Sequence, residues 1–249
     1  MSFKQILAKF AKKLTTIAQK VPQVYEAGKL AAHQEEWDEF WDSAQNYGKR
    51  TSYTYGFTGE AWTNRNFKPK YNMSPTSAVG MFHSCACTDI VKALDETGVT
   101  IDFSKATNVV NILTYCSSVS FPDVDFSNLS SIASFCSNNS ALKSLKIKIS
   151  TKLTNANNAF QNCTALEDFD IEGEIKINGF NFSSCTKLNK ASHLNIFAAI
   201  STTASITVTF SKVAVDKAFE TAPGANDGST SQEWNDLVDT RPNATIVLA

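Results

Sequence analysis

The sequence predicts an α/β solenoid with helices at its N-terminus and a capping element at each end. Two observations support this prediction. A short phrase with an apolar residue, a Cys or Asn and an aliphatic residue recurs five times between residues 81 and 188. A heptad pattern without interruption precedes it, over residues 3–31. Because each repeat of a solenoid contacts only its neighbours, periodic sequence between non-periodic ends is the expected pattern.

The repeated phrase is clearest where Phe160, Cys163 and Leu166 precede alternating apolar residues. The Cys or Asn of each copy, here called its anchor, lies 22–29 residues from the next. The anchors are Cys87, Cys116, Asn139, Cys163 and Cys185. A period of about 20–29 residues with aliphatic residues and Asn or Cys is typical of leucine-rich repeats. The sequence therefore predicts a leucine-rich-repeat-like solenoid over residues 81–205.

Each repeat is expected to form one short strand. The residues after two anchors alternate in the way that strand residues do: Leu145, Ile147 and Ile149, then Phe169 and Ile171. An anchor Asn can bond the backbone of the corner where the chain leaves the strand, and Cys is small and easily buried. The alternative is an ordinary α/β domain with chance recurrence of Phe and Cys, which the long first interval favours.

The six cysteines are interpreted as reduced core residues. Four are anchors, and the other two, Cys85 and Cys136, have no evident partner in the sequence. A Cys-x-x-Cys pair is absent, which disfavours zinc. We therefore expect neither disulfides nor a metal site nor a cofactor.

Residues 1–34 are predicted to be a helical oligomerisation or docking segment. Apolar residues step by four and three along it, which favours a coiled coil. The seam is formed by Phe3, Leu7, Phe10, Leu14, Ile17 and Val21. Pro22 is expected to break the helix. Three interpretations remain open: a homo-oligomer such as a trimer, a basic amphipathic helix on an anionic surface, and a helix packed on its own domain.

Capping elements are predicted on both sides of the repeats. Residues 35–80 combine an amphipathic helix over 35–47 with an aromatic-rich segment. The aromatic side chains Tyr53, Tyr55 and Trp62 could stack on sugar rings, but a cap over the open end of a solenoid is the favoured interpretation. Residues 206–249 predict a C-terminal cap with a strand at 206–210, helices at 213–221 and 231–238, and a last strand at 244–248.

The sequence predicts a protein that is not an enzyme. No nucleophile elbow, phosphate loop or dinucleotide fingerprint is present. Alternating carboxylates at Asp123, Asp125, Asp168 and Asp170 are expected to solvate one face of a sheet. A net charge of −1 gives no reason to expect nucleic acid. The sequence lacks a signal-peptide pattern and an apolar run long enough to span a membrane.

The phrase from Ala159 to Leu166 resembles the Ala-Phe-x-x-Cys-x-x-Leu phrases of BspA-type leucine-rich-repeat proteins. The front of the chain, through Lys13–Ala18, Val24–Gly28 and Trp37–Trp41, is similar to proteins of gut bacterial genomes and their prophages that join such a segment to these repeats. The resemblance implies a protein of a phage particle or of the bacterial cell surface. Its expected partners are a protein or glycan on a host surface, or other virion proteins. A phage virion component is the first expectation, and a surface adhesin or a glycan-binding module are the alternatives.

Overall fold

The computed structural model describes residues 52–53, 56–57, 69–220 and 231–249. The chain divides into two units, Met1–Tyr47 and Gly48–Ala249, and every described residue belongs to the second. The helices predicted before residue 48, including the whole oligomerisation seam, lie outside the described residues.

The described residues form short strands that alternate with short helices. The helices are α1 (Ile90–Thr97), α2 (Lys190–Ala199), α3 (Lys212–Ala218) and α4 (Gln232–Asp239). The strands are β1 (Val124–Phe126), β2 (Ser144–Ile149), β3 (Asp168–Glu172), β4 (Asn181–Phe182), β5 (Ile206–Phe210) and β6 (Ala244–Leu248).

The strands build two parallel three-stranded sheets, β1-β2-β3 and β4-β5-β6. In the first sheet Val124 lies beside Ile147, and Ile147 lies beside Ile171. Neighbouring strands are thus separated by nearly the same length of chain as neighbouring anchors. Parallel neighbours require a connection of a dozen or more residues, so the intervening chain must return to the start of the sheet each time.

Burial in the first sheet follows the alternation of the sequence. The apolar side chains of β2 and β3 are buried, and the polar ones between them face solvent. The buried set is Leu145, Ile147, Ile149, Phe169 and Ile171. The structure therefore has strands at the two segments where alternation predicts them, with the apolar side in the core. The expectation of one strand in each repeat is wrong for the repeats anchored at Cys87 and Cys185, which continue into helices.

Between the strands, turns pack side by side and hydrogen bond to one another. The Phe82 amide donates to the Ile112 carbonyl, and the Leu113 amide donates to the Phe135 carbonyl, both at 2.8 Å. Left-handed residues recur at matching places in these turns: Asn111, Ser134 and Asn158 form one column, and Tyr115, Asn138 and Asn162 another. Asn tolerates this conformation better than most residues, so the Asn-rich turns have a backbone explanation.

The five anchors are all buried, as are the apolar residues that precede them. The Asn139 side-chain oxygen accepts hydrogen bonds from the amides of Leu142 at 3.1 Å and Ala141 at 3.3 Å. This is the corner role expected for an anchor Asn. The aliphatic partner of the second anchor, Val119, is only half-buried.

Two helices occupy segments that the sequence analysis assigned to the repeats. Helix α1 begins after Asp89, whose side chain accepts from the Lys92 amide, and ends at the left-handed Gly98. Helix α2 begins after Asn189, whose side chain accepts from the Ser192 amide. Both N-cap residues are of the type that favours helix initiation, and the repeat pattern obscured that signal.

The C-terminal elements agree with the sequence-based expectation. Strands β5 and β6 have the predicted bounds, and α4 is capped by Ser231, which accepts from the Trp234 amide. Helix α3 starts one residue earlier than predicted and ends at Ala218, three residues before the predicted end. The segment 221–230, between α3 and α4, lies outside the described residues.

The imidazole of His193 is enclosed by aromatic rings of these last elements. Its exposed fraction is 0%, and the rings of Phe210, Phe219 and Trp234 lie 5.5–5.9 Å from it. One ring nitrogen, Nδ1, lies 2.8 Å from the Asn189 carbonyl oxygen, so the neutral ring donates there. The other, Nε2, has no hydrogen-bond partner among the described residues. Burial lowers the pKa of His193, and the bond to Asn189 opposes this only in part.

We expect the free energy of unfolding to fall as the pH is lowered from 7.5 toward 5. Below its usual pKa of 6.5, His193 binds a proton in the unfolded chain but not in the folded one. Between the pKa values of His193 in the folded and the unfolded chain, the free energy of unfolding should fall by at most about 1.4 kcal/mol for each pH unit. Urea titrations at several pH values measure it. In His193→Phe this part of the pH dependence should disappear, and an unchanged slope would contradict the assignment.

Candidate functional site

The candidate site is the solvent-facing side of the first sheet. Its side chains alternate with the buried residues of β1, β2 and β3, so they point away from the core. We call this surface the strand face. It comprises Asp123, which precedes β1, and Asp125, Ser144, Lys146, Lys148, Asp168, Asp170 and Glu172.

The two lysines of β2 form a central positive line between carboxylates. On one side, Lys148 pairs with Glu172 at 2.6 Å, and Lys146 lies 3.6 Å from Asp170. On the other side, Asp125 is the register partner of Lys148. The ion pair with Glu172 raises the pKa of Lys148. Exposed ion pairs contribute little to stability, so these charges can exchange partners at small cost.

The carboxylate of Asp125 is held in place by its own turn. The Ser127 hydroxyl and amide both donate to it. These hydrogen bonds, with the Ser127 side chain as the larger cause and Lys148 contributing, lower the pKa of Asp125. The carboxylate is therefore charged and oriented at neutral pH, as an acceptor for a partner must be.

A cleft of about 390 Å³ opens at the end of the strand face next to α2. Its charged groups are Asp123, Asp168, Asp170 and Lys146, so carboxylates outnumber ammonium groups. Uncharged hydrogen-bonding groups come from Ser144, Asn189, Ser192 and Asn195, and the apolar lining from Phe121, Leu145, Phe169 and Ala191. The combination suits a polar ligand group that carries positive charge and several hydrogen-bond donors.

Side chains of α2 cover the outer edge of β3. The Ser192 hydroxyl accepts from the Phe169 amide at 2.8 Å, and the Asn195 side chain accepts from the Ile171 amide at 2.7 Å. These are amides that a further strand would otherwise bond. A partner therefore cannot extend the sheet at this edge by strand addition.

The sequence analysis found part of this site. It placed the four aspartates on a solvated sheet face, and Asp125, Asp168 and Asp170 lie there on strands. It missed the contribution of α2, since Ser192 and Asn195 were read as repeat residues. The capping signal at Asn189, followed by polar residues three and six positions later, could have identified that helix.

Of the three aromatic residues suggested for sugar binding, Tyr53 lies among the described residues, and its side chain is buried. Tyr53 is 1% exposed, and its amide donates to the Ser77 carbonyl. The nearby Phe57 stacks on Phe82 with ring centroids 5.2 Å apart. For Tyr53, a sugar-stacking role is therefore wrong, because the ring is packed in the core. Tyr55 and Trp62 lie outside the described residues.

The two cysteines that are not anchors do have partners, contrary to expectation. The Sγ atoms of Cys136 and Cys163 are 3.2 Å apart in the core. A hydrogen bond between Cys85 and Cys116 lowers the pKa of Cys85 and raises that of Cys116. Their separation along the chain hid both contacts, because each joins an anchor to a residue of the preceding turn. Among the described residues, no cluster of three or more His, Cys, Asp or Glu could hold a metal ion.

No protein-family model matches the chain, and neither a curated protein nor a solved structure matches it. In the described ranges, none of the helices has the length and apolar character needed to cross a membrane. Function must therefore be inferred from the strand face, the cleft and the repeat pattern themselves.

Proposed function

We propose that the protein is a non-enzymatic binding protein that receives its partner on the strand face. The observation that carries the proposal is the contrast between the edge and the face of the first sheet. Ser192 and Asn195 occupy the edge amides of β3, while the face presents Lys146 and Lys148 between carboxylates. Because the edge amides of β3 are occupied and the charged face is open, recognition of a partner through side chains is favoured over addition of a strand.

The fold proposed for this role is a leucine-rich-repeat-like solenoid of the BspA type. Three features support it: the matching strand and anchor intervals, the buried anchors, and the columns of left-handed residues in neighbouring turns. In such a stack each repeat adds one strand to a continuous surface.

The proposed setting is a phage particle, with the protein as a tail or fibre-like component. The resemblance of residues 159–166 and of the front of the chain supports this setting, and a bacterial surface adhesin is the alternative. The seam from Phe3 to Val21 would join copies of the chain in either setting. Light scattering of the full chain tests the seam, and a single-chain mass would contradict it.

The binding proposal is tested by reversing charge on the strand face. Labelled full-length protein is incubated with purified particles and, separately, with intact bacterial cells. We expect Asp168→Lys combined with Asp170→Lys to weaken binding about tenfold, because the cleft then repels the positively charged ligand group that its carboxylates suit. The control, Asp95→Lys with Asp239→Lys, makes the same charge change at exposed positions off the strand face.

Equal binding by both double variants would overturn the strand-face proposal. Immunogold labelling of a producing culture distinguishes the settings. Label on particles supports the virion role, label on cells without particles supports the adhesin, and label on neither contradicts both.

A further inference from the structure

Four of the six buried cysteines lie in two cross-turn pairs. The Cys163 thiol donates to the Cys136 carbonyl at 3.0 Å, and the Cys136 thiol donates to the Ala159 carbonyl at 3.1 Å. The Cys136 amide also donates to the Ala159 carbonyl, so the two turns are held together at this point. With the sulfurs 3.2 Å apart, a disulfide requires an approach of only about 1.2 Å.

The second pair repeats this arrangement nearer the start of the repeats. The Ser117 amide donates to the Cys85 carbonyl at 2.9 Å, and the Ser84 amide donates to the Thr114 carbonyl at 2.8 Å. These bonds place the segment around Cys85 beside the segment around Cys116. The Cys116 side chain is close enough to Cys85 to lower the pKa of the Cys85 thiol.

We propose that Cys85–Cys116 and Cys136–Cys163 are disulfide-forming sites, each of which cross-links neighbouring turns when the chain folds in the presence of a disulfide oxidant. Both pairs join an anchor to the cysteine outside the anchor pattern in the preceding turn. The extra cysteines, which the repeat pattern does not require, are thereby accounted for.

The remaining two thiols are left out of the pairing. The Cys185 thiol lies 3.6 Å from the Phe160 carbonyl oxygen and donates to it. The Cys87 thiol is also buried and takes part in neither cross-turn pair. Oxidation should therefore consume four thiols and leave two.

The reaction is thiol–disulfide exchange with a small disulfide such as glutathione disulfide. One cysteine thiolate attacks a glutathione sulfur, the glutathione S–S bond breaks, and one glutathione leaves as thiolate. The second cysteine thiolate then attacks the protein-bound sulfur of the mixed disulfide and displaces the second glutathione. Two cysteines are oxidised, one glutathione disulfide is reduced to two glutathione molecules, and the cysteine protons pass to the leaving thiolates.

All four side chains are buried in the folded chain, so a glutathione molecule reaches them while the chain is folding and not afterwards.

The test is to fold the reduced full chain from denaturant in glutathione redox buffer. The product is unfolded again, alkylated with N-ethylmaleimide and analysed by mass spectrometry. We expect two alkylated thiols instead of six, and digestion with trypsin and chymotrypsin should yield the two proposed cross-linked pairs. Six alkylated thiols, or cross-links between other cysteines, would overturn the proposal.

Single variants assign each cross-link. Cys136→Ala should lose one disulfide and keep Cys85–Cys116, whereas Cys85→Ala should do the reverse. Cys185→Ala and Cys87→Ala remove equally buried thiols and should retain both disulfides. Loss of a proposed cross-link in either of these controls would contradict the pairing, and the wild-type peptide map decides the matter if a variant fails to fold.

Discussion

Phe160→Ala is expected to lower the free energy of unfolding by about 3–5 kcal/mol, the usual cost of removing a fully buried Phe. The side chain is 0% exposed. Its ring lies 4.9 Å from that of Phe182, in a stacked arrangement, and 5.0 Å from that of Phe169, edge to face. Phe169 belongs to the first sheet and Phe182 to the second. The substitution therefore empties the position where the two sheets share a core.

Urea denaturation followed by circular dichroism measures this loss. The control is Leu194→Ala, which removes apolar atoms from a side chain on α2 that is 42% exposed. Surface substitutions of this kind usually change stability by less than about 0.5 kcal/mol. If Phe160→Ala cost no more than Leu194→Ala, the ring contacts between the two sheets would not contribute to stability as described.

The strands of this protein were predictable because their signal is local. Alternation at Leu145, Ile147 and Ile149 requires only that one side of the strand be buried, and β2 covers those residues. The Ser231 cap and the last strand are local signals of the same kind. Where one short segment contains the physical cause, the sequence is sufficient to find the element.

The rest of the candidate site depends on neighbours that are distant in sequence. Lys148 meets Glu172 because of strand register, and Cys136 meets Cys163 across 27 residues. A shift of one residue in either turn would separate these groups, and the spacing of the repeats varies enough to allow such a shift. The anchor pattern identifies which residues are buried, but it does not say which thiol of one turn faces which thiol of the next.

Tyr53 is a second case in which the sequence pattern alone does not identify the role of a residue. An aromatic strand pattern is compatible with an exposed sugar-binding surface and with a buried cap, because both need the same residue types. Packing decides between them, and for Tyr53 the ring is inside. Composition alone could not have separated a ligand site from core in this segment.

Gly173→Ala is expected to lower the free energy of unfolding by about 2–4 kcal/mol, through a left-handed backbone and a steric clash acting together. Gly173 follows β3 directly and has a φ of +115°. A Cβ atom there would lie 2.8 Å from both the carbonyl oxygen and Cγ1 of Ile149, the last residue of β2. A side-chain atom could move away, but the backbone oxygen belongs to the neighbouring strand and cannot move independently.

Gly98→Ala separates the cost of the left-handed backbone from the cost of the steric clash. Gly98 also has a positive φ, +66°, but a Cβ atom added there meets nothing within 4 Å. This variant should therefore lose only about 1 kcal/mol, from the left-handed conformation. Urea titrations of both variants provide the comparison, and equal losses would show that the chain after β3 does not approach β2 as closely as the structure indicates.

The distortion that Gly173→Ala causes at the end of β3 should also change the geometry of the strand face. Gly173 is bonded to Glu172, whose carboxylate pairs with Lys148. To relieve the clash with Ile149, the end of β3 must move away from β2, and the pair between Lys148 and Glu172 must lengthen with it. Gly173→Ala is thus expected to weaken partner binding even at temperatures where the chain remains folded, whereas Gly98→Ala, which lies outside the sheet, should bind as the wild type does.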